Sequence, residues 1–184
     1  MTPSVRQTGG VRYLTIVRHA KATPASAGDD DLERPLSGRG REQCRRLREW
    51  ACNPKALGGF GPTVALVSAA RRTTETFERA FAGTPFVSSV TFSAVIYNGH
   101  RTVDADDLLG QLAMVDPGTS SLLVVAHNPT VLECVLGLTA RIPTSLREGH
   151  YPLGGAYVLE VPEDQVVGQG PYPLVANYLP DQSR

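Results

Sequence analysis

The chain has 184 residues, 41 % of them hydrophobic and 20 % charged, which fits about one globular domain with a core of its own. Eighteen Lys plus Arg balance eighteen Asp plus Glu. A duplex nucleic-acid binder relies on a basic surplus, so that class is disfavoured, although a local basic pocket is compatible with a zero sum.

Sixteen of the eighteen basic residues are arginine, whose planar fork suits carboxylate and phosphate; a coding bias accounts for such an excess equally well, so individual arginines need a positional argument. Cys44, Cys52 and Cys134 are too few and too scattered for a disulfide framework or a structural zinc site. The first ten residues carry no apolar run of a secretory signal, and they read as a flexible extension. No window approaches a membrane span. A cytoplasmic protein with no membrane association is expected.

In chain order, Val11 to Val17 is β-branched and aromatic and reads as a strand. Residues 21–40 are rich in Gly, Pro and Asp and read as a long functional or mobile loop. From Arg41 a helix is expected, with Cys44, Leu47, Trp50 and Ala51 inward, ended by Asn53-Pro54. Thr63 to Val67 is a second strand. Ser68 has the character of an N-cap for a helix Ala69 to Phe81, with Thr73, Phe77, Ala80 and Phe81 inward. Phe86 to Ile96 reads as one or two short strands, Asp104 to Met114 as an amphipathic helix, and Asp116-Pro117-Gly118 as a turn. Ser121 to Ala126 is nearly all apolar, as a strand buried on both faces should be. Asn128-Pro129 then opens a helix to about Leu138. Ala156 to Val161 and Leu174 to Tyr178 are late strands, an antiparallel pair at one sheet edge. The alternation predicts a single α/β domain over residues 1–184, with a central, mostly parallel sheet of five or six strands and helices on both faces.

Three strands end in polar tips: Arg18-His19, Ser68 to Arg72, and His127-Asn128. Ligand groups in open α/β sheets gather beyond the carboxyl ends of the strands. If these three are parallel and adjacent, two imidazoles and at least two guanidiniums converge beside two helix N-termini, a cationic site for a phosphoryl group. His100 and His150 lie in turn-rich surroundings without ligand spacing, so no metal site is expected. There is neither a nucleotide-binding P-loop nor a nucleophile elbow. An imidazole nitrogen attacking phosphorus, with arginines on the equatorial oxygens, is the economical chemistry, and it needs no cofactor.

Leu14 to Lys21 resembles the Arg-His signature of the histidine phosphatase superfamily, and Arg18-His19-Ala20-Lys21 resembles its SixA-like phosphohistidine phosphatase branch. Asp31 to Gly40, Ser68 to Thr76 and Val124 to Pro129 resemble further segments of that branch, in the same order. The resemblance implies a phosphoglycerate-mutase-like fold without a large cap domain. It also implies His19 as nucleophile, Arg18 and Arg72 on the phosphoryl oxygens with Arg71 a bystander, and His127 donating from the opposite side. Lys21 sits at a branch-specific position and is a candidate substrate contact. Ala69 stands where the branch has Pro, and Ala126 where it has Gly, which should tighten the space around His127. For the roles to differ, His19 has to be neutral and His127 charged.

An alkoxide leaving group calls for a carboxylic acid, worth roughly 10² to 10⁴-fold. The stretch Val95 to Asp107 has no Glu, and Asp104, Asp106 and Asp107 fit a helix start better than an acid's role. Phosphorus–nitrogen bonds break readily once the nitrogen is protonated, so a site without such an acid could still serve phosphohistidine, in agreement with the branch resemblance, which implies a phosphohistidine-bearing protein as partner. A metabolite phosphomonoesterase and a non-catalytic phosphate-binding module are the alternatives; the oligomeric state is not legible.

Overall fold

A computed structural model describes residues 12–28, 30–57, 63–97, 103–116, 119–146, 149–162 and 165–180. Strands β1 (Arg12–Arg18), β2 (Thr63–Ser68), β3 (Val87–Ser93), β4 (Ser121–Ala126), β5 (Ala156–Val161) and β6 (Leu174–Tyr178) form one sheet in the order β3-β2-β4-β1-β5-β6. β1, β2, β3 and β4 run parallel, and β5 and β6 are antiparallel additions at one end. The expected mostly parallel sheet with a late antiparallel pair is what the chain builds.

Side-chain alternation along the strands sorts the core into two layers. Leu14, Ile16, Leu66, Leu122, Val124, Tyr157 and Leu159 pack toward α3 (Ala105–Leu112) and α4 (Thr130–Leu138). Val17, Ala65, Val67, Leu123, Val125, Ala156 and Val158 pack toward α1 (Gly38–Ala51) and α2 (Arg71–Ala80). Every residue of β4 is buried, which explains its nearly continuous apolar sequence. β3 is an edge strand exposed along most of its length, and Phe86 to Ile96 holds this one strand.

Helix starts depart from the sequence expectation. α1 begins at Gly38, three residues before Arg41, because the Ser37 hydroxyl accepts from the Gly40 N–H at 3.1 Å. Such a cap contributes about 1 kcal/mol. α2 begins at Arg71 with Ala70 at the cap position and no side-chain cap. Ser68 is the last residue of β2, and its hydroxyl bonds to His127. α4 likewise begins at Thr130, with Pro129 at the cap position, so Asn128 is not the cap. Asp104 and Asp107 form a capping box on α3, each side chain accepting from the other's backbone N–H.

Residues 21–40 are more ordered than a loop reading implies. Ala22 and Leu36 form an antiparallel bridge, and Asp31–Glu33 is a 3₁₀ turn. Gly40 lets α1 approach the bridge, since a Cβ there would lie 2.0 Å from the Lys21 carbonyl oxygen. The flexible extension expected for residues 1–10 falls outside the described residues, as do His100 and the Pro117-Gly118 part of the expected turn. Among the described residues no helix is long and apolar enough to cross a membrane.

Candidate active site

β2, β4 and β1 are neighbours and parallel, so their three polar tips emerge side by side. Arg18 pairs in register with Ala126, and the His19 N–H donates to the Ala126 carbonyl at 3.0 Å. This brings the two imidazoles together: the His19 and His127 ring centroids are 5.1 Å apart, with the planes tilted by 60°. Both are buried, at 9 % and 3 % exposure. Ala126 turns its methyl into the core layer on the α3 and α4 side.

Each histidine has one edge fixed. His19 Nδ1 lies 2.8 Å from the Ala20 carbonyl oxygen, which only accepts. Nδ1 therefore carries the proton and Nε2 the lone pair. His127 Nε2 lies 2.8 Å from the Ser68 hydroxyl, and its Nδ1 is buried without a hydrogen-bond partner among the described residues. With the hydroxyl as donor, the His127 proton sits on that unpartnered Nδ1.

Burial pushes the His19 pKa down to about 3; the Ala20 bond opposes the shift, and Arg72, Arg18 and Arg34 reinforce it. Burial also pushes His127 down, to about 2, assisted by His19, Arg72, Arg18 and Arg34. Both rings are thus neutral in the unliganded protein. The expected charge on His127 is not present in this state, because no anion offsets its burial among cations.

Arg72 is 4 % exposed despite its place on the first turn of α2. Its Nη1 donates to the Asp31 carbonyl at 2.7 Å and its Nη2 to Asp31 Oδ2 at 2.9 Å. Arg71, by contrast, pairs with Glu75 at 2.9 Å on the surface. The structure therefore separates the two arginines, one buried and the other at the surface. Arg18 donates through Nη1 to the Tyr151 carbonyl. Arg34 Nη2 meets Asp31 Oδ1 at 2.8 Å. The Nε atoms of Arg18, Arg34 and Arg72 are all buried without a partner among the described residues. Unmet buried donors are costly, and a cluster of them calls for an acceptor.

Lys21 is exposed, and the bonds described at it are made by its backbone: its N–H donates to Gln43 Oε1 and its carbonyl accepts from Ser37, both at 2.9 Å. The bonds described for the candidate acids lie at the start of α3. Asp104 and Asp107 cap α3, and Asp106 lines a groove of about 330 Å³ between α3, α4 and residues 168–170.

Sequence reasoning gave no role to Asp31, Arg34 or Tyr97, and placed Ser68 at a helix cap. Tyr97 donates to Asp31 Oδ2 at 2.9 Å and sets its ring edge-on to His127, centroids 5.8 Å apart. Burial pushes its pKa up, as does the bond to Asp31. The available signal was the compact Asp31 to Leu36 motif, whose Asp and Arg are one 3₁₀ turn apart.

Strand order and helix placement define a phosphoglycerate-mutase-like α/β fold. Among solved structures, it is shared with a proposed phosphohistidine phosphatase SixA from Nakamurella multipartitia, at TM-score 0.72 and 24 % identity over 93 % of this chain and 97 % of that one. It is also shared with a proposed SixA from Agrobacterium tumefaciens, at TM-score 0.70 and 24 % identity over 92 % and 98 %. A protein histidine phosphatase SixA complexed with tungstate matches at TM-score 0.67 and 20 % identity over 90 % and 95 %. No protein-family model matches the sequence, and no curated protein does. At these identities the likeness establishes a common fold.

Proposed function

We propose that the chain is a phosphatase of the histidine phosphatase type that carries the phosphoryl group on His19, needs no metal ion, and acts on phosphohistidine in a partner protein. The observation that carries this is the pair of imidazoles 5.1 Å apart, in the company of three arginine Nε atoms and a His127 nitrogen that are buried without acceptors among the described residues. A phosphoryl group supplies acceptors for all of them.

His19 Nε2 attacks phosphorus with its lone pair while Nδ1–H stays on the Ala20 carbonyl, which stabilises the cation formed on the ring. Arg18 and Arg72 take the equatorial oxygens, where charge is spread in the transition state. Arg34, which shares the Asp31 carboxylate with Arg72, is added to that set. His127 donates through Nδ1, and the bound dianion raises its proton affinity toward the charged form. Water then attacks the phosphohistidine, the P–N bond returns its electron pair to His19, and phosphate leaves. Lys21 is retained as an outer substrate contact, since its side chain is exposed beside the site's first strand.

Two observations support phosphohistidine as the substrate. Asp104 and Asp107 are engaged in capping α3, and a protonated imidazole leaves without a dedicated acid. The solved structures with this fold include a protein histidine phosphatase. The test is rapid quenching with labelled phosphoramidate. The protein should yield an acid-labile phosphoenzyme, and His19→Ala should lose it while still binding phosphate. Full turnover in His19→Ala, or turnover of a sugar phosphate above that of phosphoramidate, would overturn the assignment.

A further inference from the structure

We propose that Asp31 is a specificity-determining residue, which selects phosphoryl donors whose leaving group carries a protonated ring nitrogen by accepting a hydrogen bond from that N–H. The inference rests on the phosphatase reading above and gives Asp31 a role that the motif comparison did not assign.

The Asp31 carboxylate is fixed from three directions. Oδ2 accepts from Arg72 Nη2 and from the Tyr97 hydroxyl, each at 2.9 Å, and Oδ1 accepts from Arg34 Nη2 at 2.8 Å. A carboxylate has about four lone-pair positions. Three are filled, and the side chain is still 44 % exposed, so Oδ1 retains an accessible accepting position on a group that cannot rotate freely.

Its location ties it to the chemistry. Arg72 gives its Nη edge to Asp31 and keeps its buried Nε without a partner. Asp31 thus lies one guanidinium's width from the phosphoryl oxygens that Arg72 is proposed to hold. Tyr97, bonded to Asp31, packs edge-on against His127. The carboxylate is therefore joined to His127 through the Tyr97 ring, from a loop remote in sequence from residues 95–107, where an acid was sought.

Its charge decides what it can do there. Burial alone would raise the Asp31 pKa, but Tyr97, Arg72 and Arg34 outweigh that and hold it below the usual value. At neutral pH the group accepts and does not donate, so it offers no proton to an alkoxide. A phosphorylated imidazole protonated on its far nitrogen presents a cationic N–H one ring away from phosphorus. When His19 Nε2 bonds to phosphorus, the substrate P–N bond breaks and its electron pair returns to the departing ring. That ring keeps its far proton and leaves as neutral imidazole. The positive charge passes to the His19 ring, and no proton has to move. Substrates that carry a second anion in place of that cation meet the Asp31 charge and are disfavoured.

The experiment compares kcat/KM for N-phosphorylimidazole with that for p-nitrophenyl phosphate, whose leaving group departs without a proton. This parameter covers steps up to the first phosphoryl transfer, before the hydrolysis common to both substrates. In Asp31→Asn the ratio of imidazole to aryl substrate should fall roughly tenfold to a hundredfold, the range of a charge-assisted bond. In Asp31→Glu, which keeps the charge, it should stay within about threefold of the unaltered protein. The ratio is insensitive to the fraction of folded molecules. An unchanged ratio in Asp31→Asn, or an equal fall in Asp31→Glu, would overturn the proposal. Failure of the underlying reading is distinguishable, since the unaltered protein would then form no phosphoenzyme with either substrate.

Discussion

His127 enters the site through strand β4 and is oriented by a side chain from a different strand, Ser68 at the end of β2. Both histidines prefer the neutral form in the folded chain, with values of about 3 for His19 and about 2 for His127, against ~6.5 for an unfolded histidine. Between those limits the unfolded chain binds protons that the folded chain excludes, so stability rises with pH. The contribution is fully present above pH ~6.5 and is lost as pH falls toward the folded values. Each ring can contribute a slope of at most about 1.4 kcal/mol per pH unit. Thermal unfolding from pH 7 to pH 5, where most carboxylates stay ionised, should show a falling Tm, and His127→Gln should show a shallower fall. An equal slope in the variant would place the acid sensitivity elsewhere. The placement of His19, His127, Arg18 and Arg72 at one edge of the sheet was legible because each stands at the tip of an element readable in sequence. The bonding of Asp31 to Tyr97 and Arg72 was not, because three distant segments meet there and no local pattern records such a meeting.

At the scale of elements, the sequence located strands well and helix starts poorly, for a physical reason. Strands β1, β2 and β4 are written in buried apolar residues, which periodicity reports directly. Helix starts are set by which side chain reaches which N–H. Ser68 has a capping residue's chemistry and is occupied by His127, whereas Ser37 caps a helix that begins with two glycines, Gly38 and Gly40. Gly40 supports more than the cap: its missing Cβ admits the Lys21 carbonyl, and residues 21 and 22 lead directly from His19 into the Ala22–Leu36 bridge. Gly40→Ala would force backbone against backbone, an overpacking cost of about 1–3 kcal/mol. A Tm loss of roughly 2–12 °C is expected in a chain of this size, together with slower phosphoenzyme formation as Ala20 and its hold on His19 shift. A stable Gly40→Ala protein that forms phosphoenzyme at an unaltered rate would show that the bridge and the site are independent.

At the scale of the molecule, a formally neutral chain concentrates positive charge at one place. Parallel β2, β4 and β1 align three tips, and α1, α2, α3 and α4 cover the two faces so that the carboxyl edge is where polar groups remain. That edge was legible from the alternation of strand and helix; the strand order, which makes β4 the neighbour of both other tips, was not. The arrangement keeps three guanidiniums and two imidazoles close together, and only Asp31 is described as pairing with Arg34 and Arg72. Repulsion within this group persists until an anion arrives, so an anion should stabilise the whole fold. A ligand that binds only the folded chain adds about 2.7 kcal/mol at a hundred times its dissociation constant, which is roughly 5–10 °C in Tm at this length. Inorganic phosphate should produce that shift at constant ionic strength, chloride should not, and Arg72→Gln should lose most of it. His19→Ala should keep it, because the nucleophile contributes a lone pair and the arginines supply the charge. An equal shift in Arg72→Gln would mean that the anion binds outside the carboxyl edge, and the convergence of the three strand tips would then have no bearing on phosphate.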